Sequence, residues 1–201
     1  MTVSVISYGL GNLGSVVNMF KRIGTEVRTI STPDEVAQSE RVLLPGVGAF
    51  DHGMSRLKES GLDDALRDFA GTGKPFMGIC LGMQLLLDSS EEGDLPGLGV
   101  IPGDTRKFEP TPGLRIPHMG WNPVVAQRED SLIDGLDPDN RFYFVHSYRV
   151  VPANDEHTLG VTDYGVDFAS MIRSGNVMGA QFHPEKSHFF GMTVLKNFAT
   201  L

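Results

Sequence analysis

The chain has 201 residues, 40% of them apolar and 21% charged, a size at which folding buries roughly 70% of the unfolded surface, so both a disordered chain and a staple-dependent mini-protein are excluded. Seventeen Lys and Arg against 25 Asp and Glu leave a formal charge of −8, without the basic footprint that a phosphate backbone requires, and no nucleic-acid partner is expected. The single cysteine, Cys80, supports neither an internal disulfide nor a multi-thiolate metal centre, and it suits a reducing compartment.

In chain order, the β-branched run over 2–8 predicts a strand, 13–23 a helix, 27–30 a strand, and 33–38 a short helix opened by Ser31 and Thr32. A third strand is expected over 41–44, a helix over 54–69 with a break near Gly61, and a strand over 75–79 that runs straight into a helix over 81–89. This alternation implies an α/β fold of three layers, flavodoxin-like, with a mostly parallel central sheet and helices on both faces. From 93 to 177 Pro and Gly are denser, and runs at 141–145, 148–151 and 167–172 predict an added antiparallel β segment. Residues 177–182 return as a strand and 189–201 close the chain as an amphipathic helix. No repeat or linker divides the chain, so a single domain over 1–201 is expected. The first twenty residues lack a basic start, and the longest strongly apolar run, 76–87, is too short for the 18 or so residues of a membrane span, which predicts a soluble cytoplasmic protein.

Twenty-four glycines point to tight loops at strand ends, where open α/β sheets bind their ligands. One of these, Gly9 to Gly14, matches G-x-G-x-x-G after a strand and before a helix. The acidic residue that a dinucleotide site needs at the end of the second strand is missing, so a tight strand-to-helix turn is the better account.

Gly78-Ile79-Cys80-Leu81-Gly82 carries the stronger signal. A strand that feeds a helix through one residue forces that residue into a strained turn, and glycines two before and two after remove side chains that would collide there. Cys80 is then presented as a nucleophile at the first turn of a helix, a position that favours thiolate chemistry. His183-Pro184-Glu185 supplies a base at a strand end: residues two apart on an extended segment share a side, and Pro184 biases His183 towards that state. Glu185 can orient the ring, which gives a Cys/His/Glu triad. A strand-end ion pair, or half of a metal site, is the competing account of the pair; His118 and His146 are remote in sequence, and no metal is expected. Pro45-Gly46-Val47-Gly48 ends a strand in bare amides that suit a developing oxyanion, with the amide of Leu81 as a second donor.

Together, P-G-V-G, G-I-C-L-G-M-Q and F-H-P-E-K make the chain resemble the class I, triad-type glutamine amidotransferases. Tyr8-Gly9-Leu10-Gly11-Asn12-Leu13, Pro117-His118-Met119-Gly120-Trp121-Asn122 and Phe144-Val145-His146-Ser147-Tyr148-Arg149 extend the likeness, over residues 1 to about 200, to the glutaminase subunits of imidazole glycerol phosphate synthase. The resemblance implies that Cys80 attacks the side-chain amide of L-glutamine, that His183 shuttles the proton and that Glu185 orients His183. It implies substrate contacts from Gln84 and Glu92 and from the backbone of Ser147 and Tyr148, without a cofactor. It also implies a heterodimer with a (β/α)8-barrel cyclase subunit that receives the ammonia, met through the face carrying Asn12, Met119, Trp121, Tyr143 and Lys186. An amidotransferase subunit of another pathway, such as anthranilate synthesis, shares the triad. A stand-alone γ-glutamyl or DJ-1-like cysteine hydrolase needs no partner, and a dinucleotide-binding regulatory module leaves Cys80 inert.

Overall fold

The structure, a computed structural model, describes residues 2–110 and 112–201. Its first half alternates β1 (Thr2–Ile6), α1 (Leu13–Arg22), β2 (Glu26–Ile30), α2 (Pro33–Ala37), β3 (Arg41–Gly46), α3 (Phe50–Glu59), α4 (Leu62–Ala70), β4 (Phe76–Cys80) and α5 (Leu81–Leu85). The second half is β5 (Ser89–Ser90), β6 (Gly103–Lys107), β7 (His118–Asn122), β8 (Val125–Ala126), β9 (Phe142–His146), β10 (Tyr148–Pro152), β11 (Thr158–Asp163), β12 (Asp167–Ser174), β13 (Val177–Ala180) and α6 (His188–Thr200). Among the described residues eleven strands form one sheet, whose central order β2-β1-β3-β4-β13 is parallel throughout. Beyond β13 the sheet continues antiparallel through β12, β10 and β6, while β7 and β9 pair as a separate antiparallel ribbon.

β4 is buried along its whole length and β3 along all but its first residue, which is why both read as near-continuous apolar runs. Because side chains alternate across a strand, Leu43 and Leu44 enter different cores. On one face α1 and α6 place Phe20, Leu195 and Phe198 with Leu43; on the other α3, α4 and α5 place Phe50, Leu66 and Leu81 with Leu44. Each such side chain contributes about 1.5–3 kcal/mol by leaving water.

The predicted elements are present with shifted ends. Thr32 and Glu35 form a capping box on α2, and the expected break in the long helix falls at Gly61, left-handed at φ +66. That helix starts earlier than predicted, at Phe50. The helix expected over 81–89 stops at Leu85, because the amides of Leu98, Val100 and Gly99 occupy the carbonyls of Leu85, Leu86 and Leu87, and Ser89 and Ser90 then leave to pair with β6. The strand expected over 177–182 ends at Ala180. Gly9 and Gly11 sit at φ +90 and φ +98, so a turn that only glycine enters easily accounts for them. Among the described residues no helix is long and apolar enough to cross a membrane.

Candidate active site

The parallel core ends in the site. β3 and β4 pair with Gly46 opposite Cys80, so the turn after β3 and the start of α5 lie side by side at the carboxyl end of the sheet. Cys80 is the turn between β4 and α5, at φ 53 and ψ −112, one of two non-glycine residues with positive φ among those described. A conformation of that kind costs on the order of 1–3 kcal/mol and persists only where the surroundings enforce it. Here close packing does so: a Cβ at Gly78 would stand 2.4 Å from the carbonyl oxygen of Gly82.

A cavity of about 340 Å³ opens over the thiol, and Val47, Gly48, Leu81, Gln84, Glu92, Ser147, Tyr148 and His183 reach it with Cys80. The structure thus gathers every residue proposed for substrate contact except Gly46, which lies beside Cys80 in the sheet. A larger, shallow cleft of about 820 Å³ along Ala126 to Leu136 holds neither cysteine nor histidine.

β13 pairs with β4 and delivers His183 from the other side. Glu185 Oε1 lies 2.8 Å from His183 Nδ1, both side chains nearly fully buried, while His183 Nε2 is buried with no hydrogen-bond partner and has the Cys80 sulfur as its neighbour. Burial disfavours a charged ring. The sulfur of Cys80 and the Glu185 carboxylate outweigh it and hold His183 up at about 10, an imidazolium at neutral pH. An acid is therefore in place beside the nucleophile.

Gln84 donates to the carbonyl of Tyr148 at 3.3 Å and to Gln181 Oε1 at 3.1 Å, which commits both hydrogens of its amide. Glu92 accepts from the amide of Phe50 at 2.9 Å; burial, with Asp51 adding to it, raises its pKa against that hydrogen bond. Asp51 in turn accepts from the amides of Asp94 and Leu95, each at 3.0 Å, so the start of α3 and the loop bearing Glu92 are stitched together in both directions.

Sequence reasoning missed three groups. Gln181, two residues before His183, donates to Cys80 Sγ at 3.8 Å. His183 is itself extended, but Pro184–Lys186 form a 3-10 turn in place of the extended segment expected, and that turn carries Glu185 to His183 Nδ1. Tyr8 buries an unpartnered hydroxyl close to Gly46, and burial, then Cys80, raises its pKa well above the usual phenol range. His118 and His146, remote in sequence, are direct cross-strand partners on β7 and β9. Among the described residues no cluster of three or more His, Cys, Asp or Glu could hold a metal ion.

Outside the cavity, Trp121 lies 5.8 Å from the Tyr143 ring and stacks on His188, and Lys186 Nζ stands 5.5 Å over Tyr143. Met119 and Trp121 are 61% and 43% exposed, so this aromatic patch faces outward. Asn12 is also exposed, at the cap of α1, which packs against the turn Pro184–Lys186.

Residues 4–200 match the family model described as glutamine amidotransferase class-I. The chain is 47% identical over 203 residues to the imidazole glycerol phosphate synthase subunit HisH of Bdellovibrio bacteriovorus, covering 99% of this chain and 100% of the relative. It is 43% identical over 200 residues to the chloroplastic imidazole glycerol phosphate synthase hisHF of Arabidopsis thaliana, spanning 98% of this chain and 33% of that longer protein. Among solved structures, PurLQS from Thermotoga maritima superposes with a TM-score of 0.75 at 19% identity, over 99% of this chain and 97% of that one, a likeness of fold.

Proposed function

The chain belongs to the class-I glutamine amidotransferases, and from that premise we propose that it is the glutaminase subunit of an imidazole glycerol phosphate synthase, acting as one domain. The reading is that it hydrolyses L-glutamine to glutamate and passes the ammonia to a (β/α)8-barrel cyclase subunit in histidine biosynthesis. The observation that carries it is the elbow: Cys80 at positive φ, under a cavity, with His183 and Glu185 alongside. The match to HisH over nearly the full chain supports the narrower reading.

In this mechanism the Cys80 sulfur attacks the side-chain carbonyl carbon of glutamine, forming the C–S bond as the carbonyl π electrons move to oxygen. The amides of the Gly46 to Gly48 turn and of Leu81 stabilise that oxyanion; one such donor is worth roughly 10²–10³ in rate. As the tetrahedral intermediate collapses, the C–N bond breaks and His183 gives its proton to the departing nitrogen, releasing ammonia and leaving a glutamyl thioester. Water then adds to the thioester, His183 taking one of its protons, and the C–S bond breaks to free glutamate. Glu185 holds the imidazole with Nε2 turned to the reacting atoms.

The single chain of HisH in one relative and the hisHF protein, of which it spans a third, support a partner in close association. The exposed face of Met119, Trp121, Tyr143 and Lys186, with Asn12, is the surface assigned to it; aromatic residues of this kind anchor interfaces. The test is release of glutamate and ammonia from glutamine by the purified chain with and without the barrel subunit. Glutamate production stimulated by the barrel supports the reading, and a chain inert towards glutamine in both conditions overturns it.

A further inference from the structure

From the pocket wall runs a continuous line of buried and part-buried hydrogen bonds that the chemistry above does not use. The Tyr148 carbonyl can only accept, so the His146 ring, 2.7 Å away through Nδ1, carries its proton there. His146 Nε2 is then an acceptor, and His118 Nδ1, 3.0 Å from it, is the donor. That leaves His118 Nε2 to accept from the Asn122 amide at 2.9 Å. With both rings neutral, each bond fixes the next and both are Nδ1–H tautomers. Burial favours this, lowering His118 to about 4 and His146 to about 3. The acceptor at the end of the line is shared, because Gln84 donates to the same Tyr148 carbonyl and also to Gln181, which reaches Cys80.

The line starts on β7, where alternation turns His118 and Asn122 inward and Met119 and Trp121 outward. His118 also stacks on the rings of Phe144 and Tyr164 at 4.8 and 3.9 Å, which fixes the plane of its ring, while the hydrogen bonds at its two nitrogens select the flip. We propose that His118 and His146 are positioning residues of the glutamine site: as a directed pair they set the Tyr148 carbonyl, and through that shared acceptor the amide of Gln84, which ties the pocket wall to the strand presenting Met119 and Trp121. The inference rests on the glutaminase reading for its consequence, and on the hydrogen bonds alone for its geometry.

Two measurements separate these. In the intact chain with ring-¹⁵N-labelled histidine, the long-range ¹H–¹⁵N spectrum at neutral pH is expected to show His118 and His146 both as neutral Nδ1–H tautomers. An Nε2–H or charged ring at either position overturns the relay whatever the enzyme does. In the complex with the barrel subunit, His118→Phe keeps the ring stack and removes both nitrogens. The KM for glutamine is expected to rise about tenfold, the scale of one lost buried hydrogen bond, with kcat within about threefold of wild type and ammonia-driven synthesis unchanged. His118→Asn restores a donor where Nδ1 stood and is expected to return KM to within about threefold. Wild-type KM in His118→Phe, equal impairment in Phe and Asn variants, or a loss confined to kcat overturns the proposal. Should His118→Phe fail to fold by near-ultraviolet circular dichroism, Asn122→Ala at the half-buried end carries the test, with a two- to fivefold rise in KM expected and no change overturning it. A wild-type complex that releases no glutamate sinks the glutaminase reading and leaves the tautomer result standing on its own.

Discussion

Gly82 lies against the backbone of Leu44: a Cβ on residue 82 would stand 1.9 Å from the Leu44 carbonyl oxygen. α5 is seated on β3 by that contact, and the amide of Leu81 is carried with it. Gly82→Ala is therefore expected to cost about 3 kcal/mol of stability, because the obstacle is backbone and has nowhere to go. Urea unfolding measures this. A variant as stable as wild type would mean that α5 can lift without consequence, and the seating argument fails.

Cys80 is held in a backbone conformation that disfavours any Cβ. In an ordinary helix or strand Ala is more stable than Gly, whereas at residue 80 the order is expected to invert, with Cys80→Gly more stable than Cys80→Ala by about 1 kcal/mol. Both variants are expected to lose glutamine-driven synthesis in the complex while synthesis from added ammonium salt continues, since on the proposed reading the synthesis step belongs to the partner subunit. Thermal unfolding of the two variants side by side, with the two synthesis assays, decides both points. Ala above Gly in stability would refute the strain.

Burial opposes a charge on His183, but Cys80 and Glu185 raise it to about 10, against an unfolded value near 6.5. A folded value above the unfolded one gives stability that is complete below pH 6.5 and is lost as the pH climbs towards 10. Removing the sulfur removes one source of the rise, so in Cys80→Ala the imidazole of His183 is expected to titrate at lower pH than in wild type, and the alkaline loss of stability, which still begins near pH 6.5, to be smaller and complete at a lower pH. Histidine proton NMR across a pH series gives the value directly; an unmoved titration would show that Cys80 does not hold the charge.

Trp121→Ala removes the ring that lies against Tyr143 and His188, and Lys186→Ala the cation above Tyr143. Both are expected to weaken binding of the barrel subunit, or its stimulation of glutamate production, about tenfold or more, with the basal hydrolysis of the free chain nearly unchanged. The check is glutamate release titrated with the barrel subunit. Full stimulation at an unchanged midpoint in both variants would take this face out of the interface.

How much of this could be read from the chain depended on the range of the interactions. The elbow at Cys80 was legible because steric demands within five residues define it; the pairing of His183 with Glu185 was legible too, although it is a 3-10 turn over Pro184–Lys186, and not the expected extended segment, that brings the carboxylate to the ring. The alternation of β1 to β4 with α1 to α4 was legible for the same reason. The helix at Leu81 overran its true end because its terminator is the segment bearing Gly97 to Ile101, which returns to take its carbonyls. His118 and His146 read as unrelated because only the register of β7 on β9 makes them neighbours. Tyr8 read as the end of the first strand, and nothing local to it shows that its hydroxyl lies near Gly46 of β3.

The two-way stitching of α3 to the loop bearing Glu92 has a consequence for selectivity. Phe50 and Asp51 fix Glu92 at one end of the cavity, and the enforced turn at residue 80 fixes the sulfur at the other. A carboxylate at Glu92 suits the α-amino group of glutamine, and the proposed mechanism places the side-chain amide at Cys80; with glutamine bound in that way, the protein measures the number of methylenes between them. Asparagine, one methylene shorter, cannot reach both ends of a rigid gauge, and a single methylene discriminates by roughly 10–200-fold.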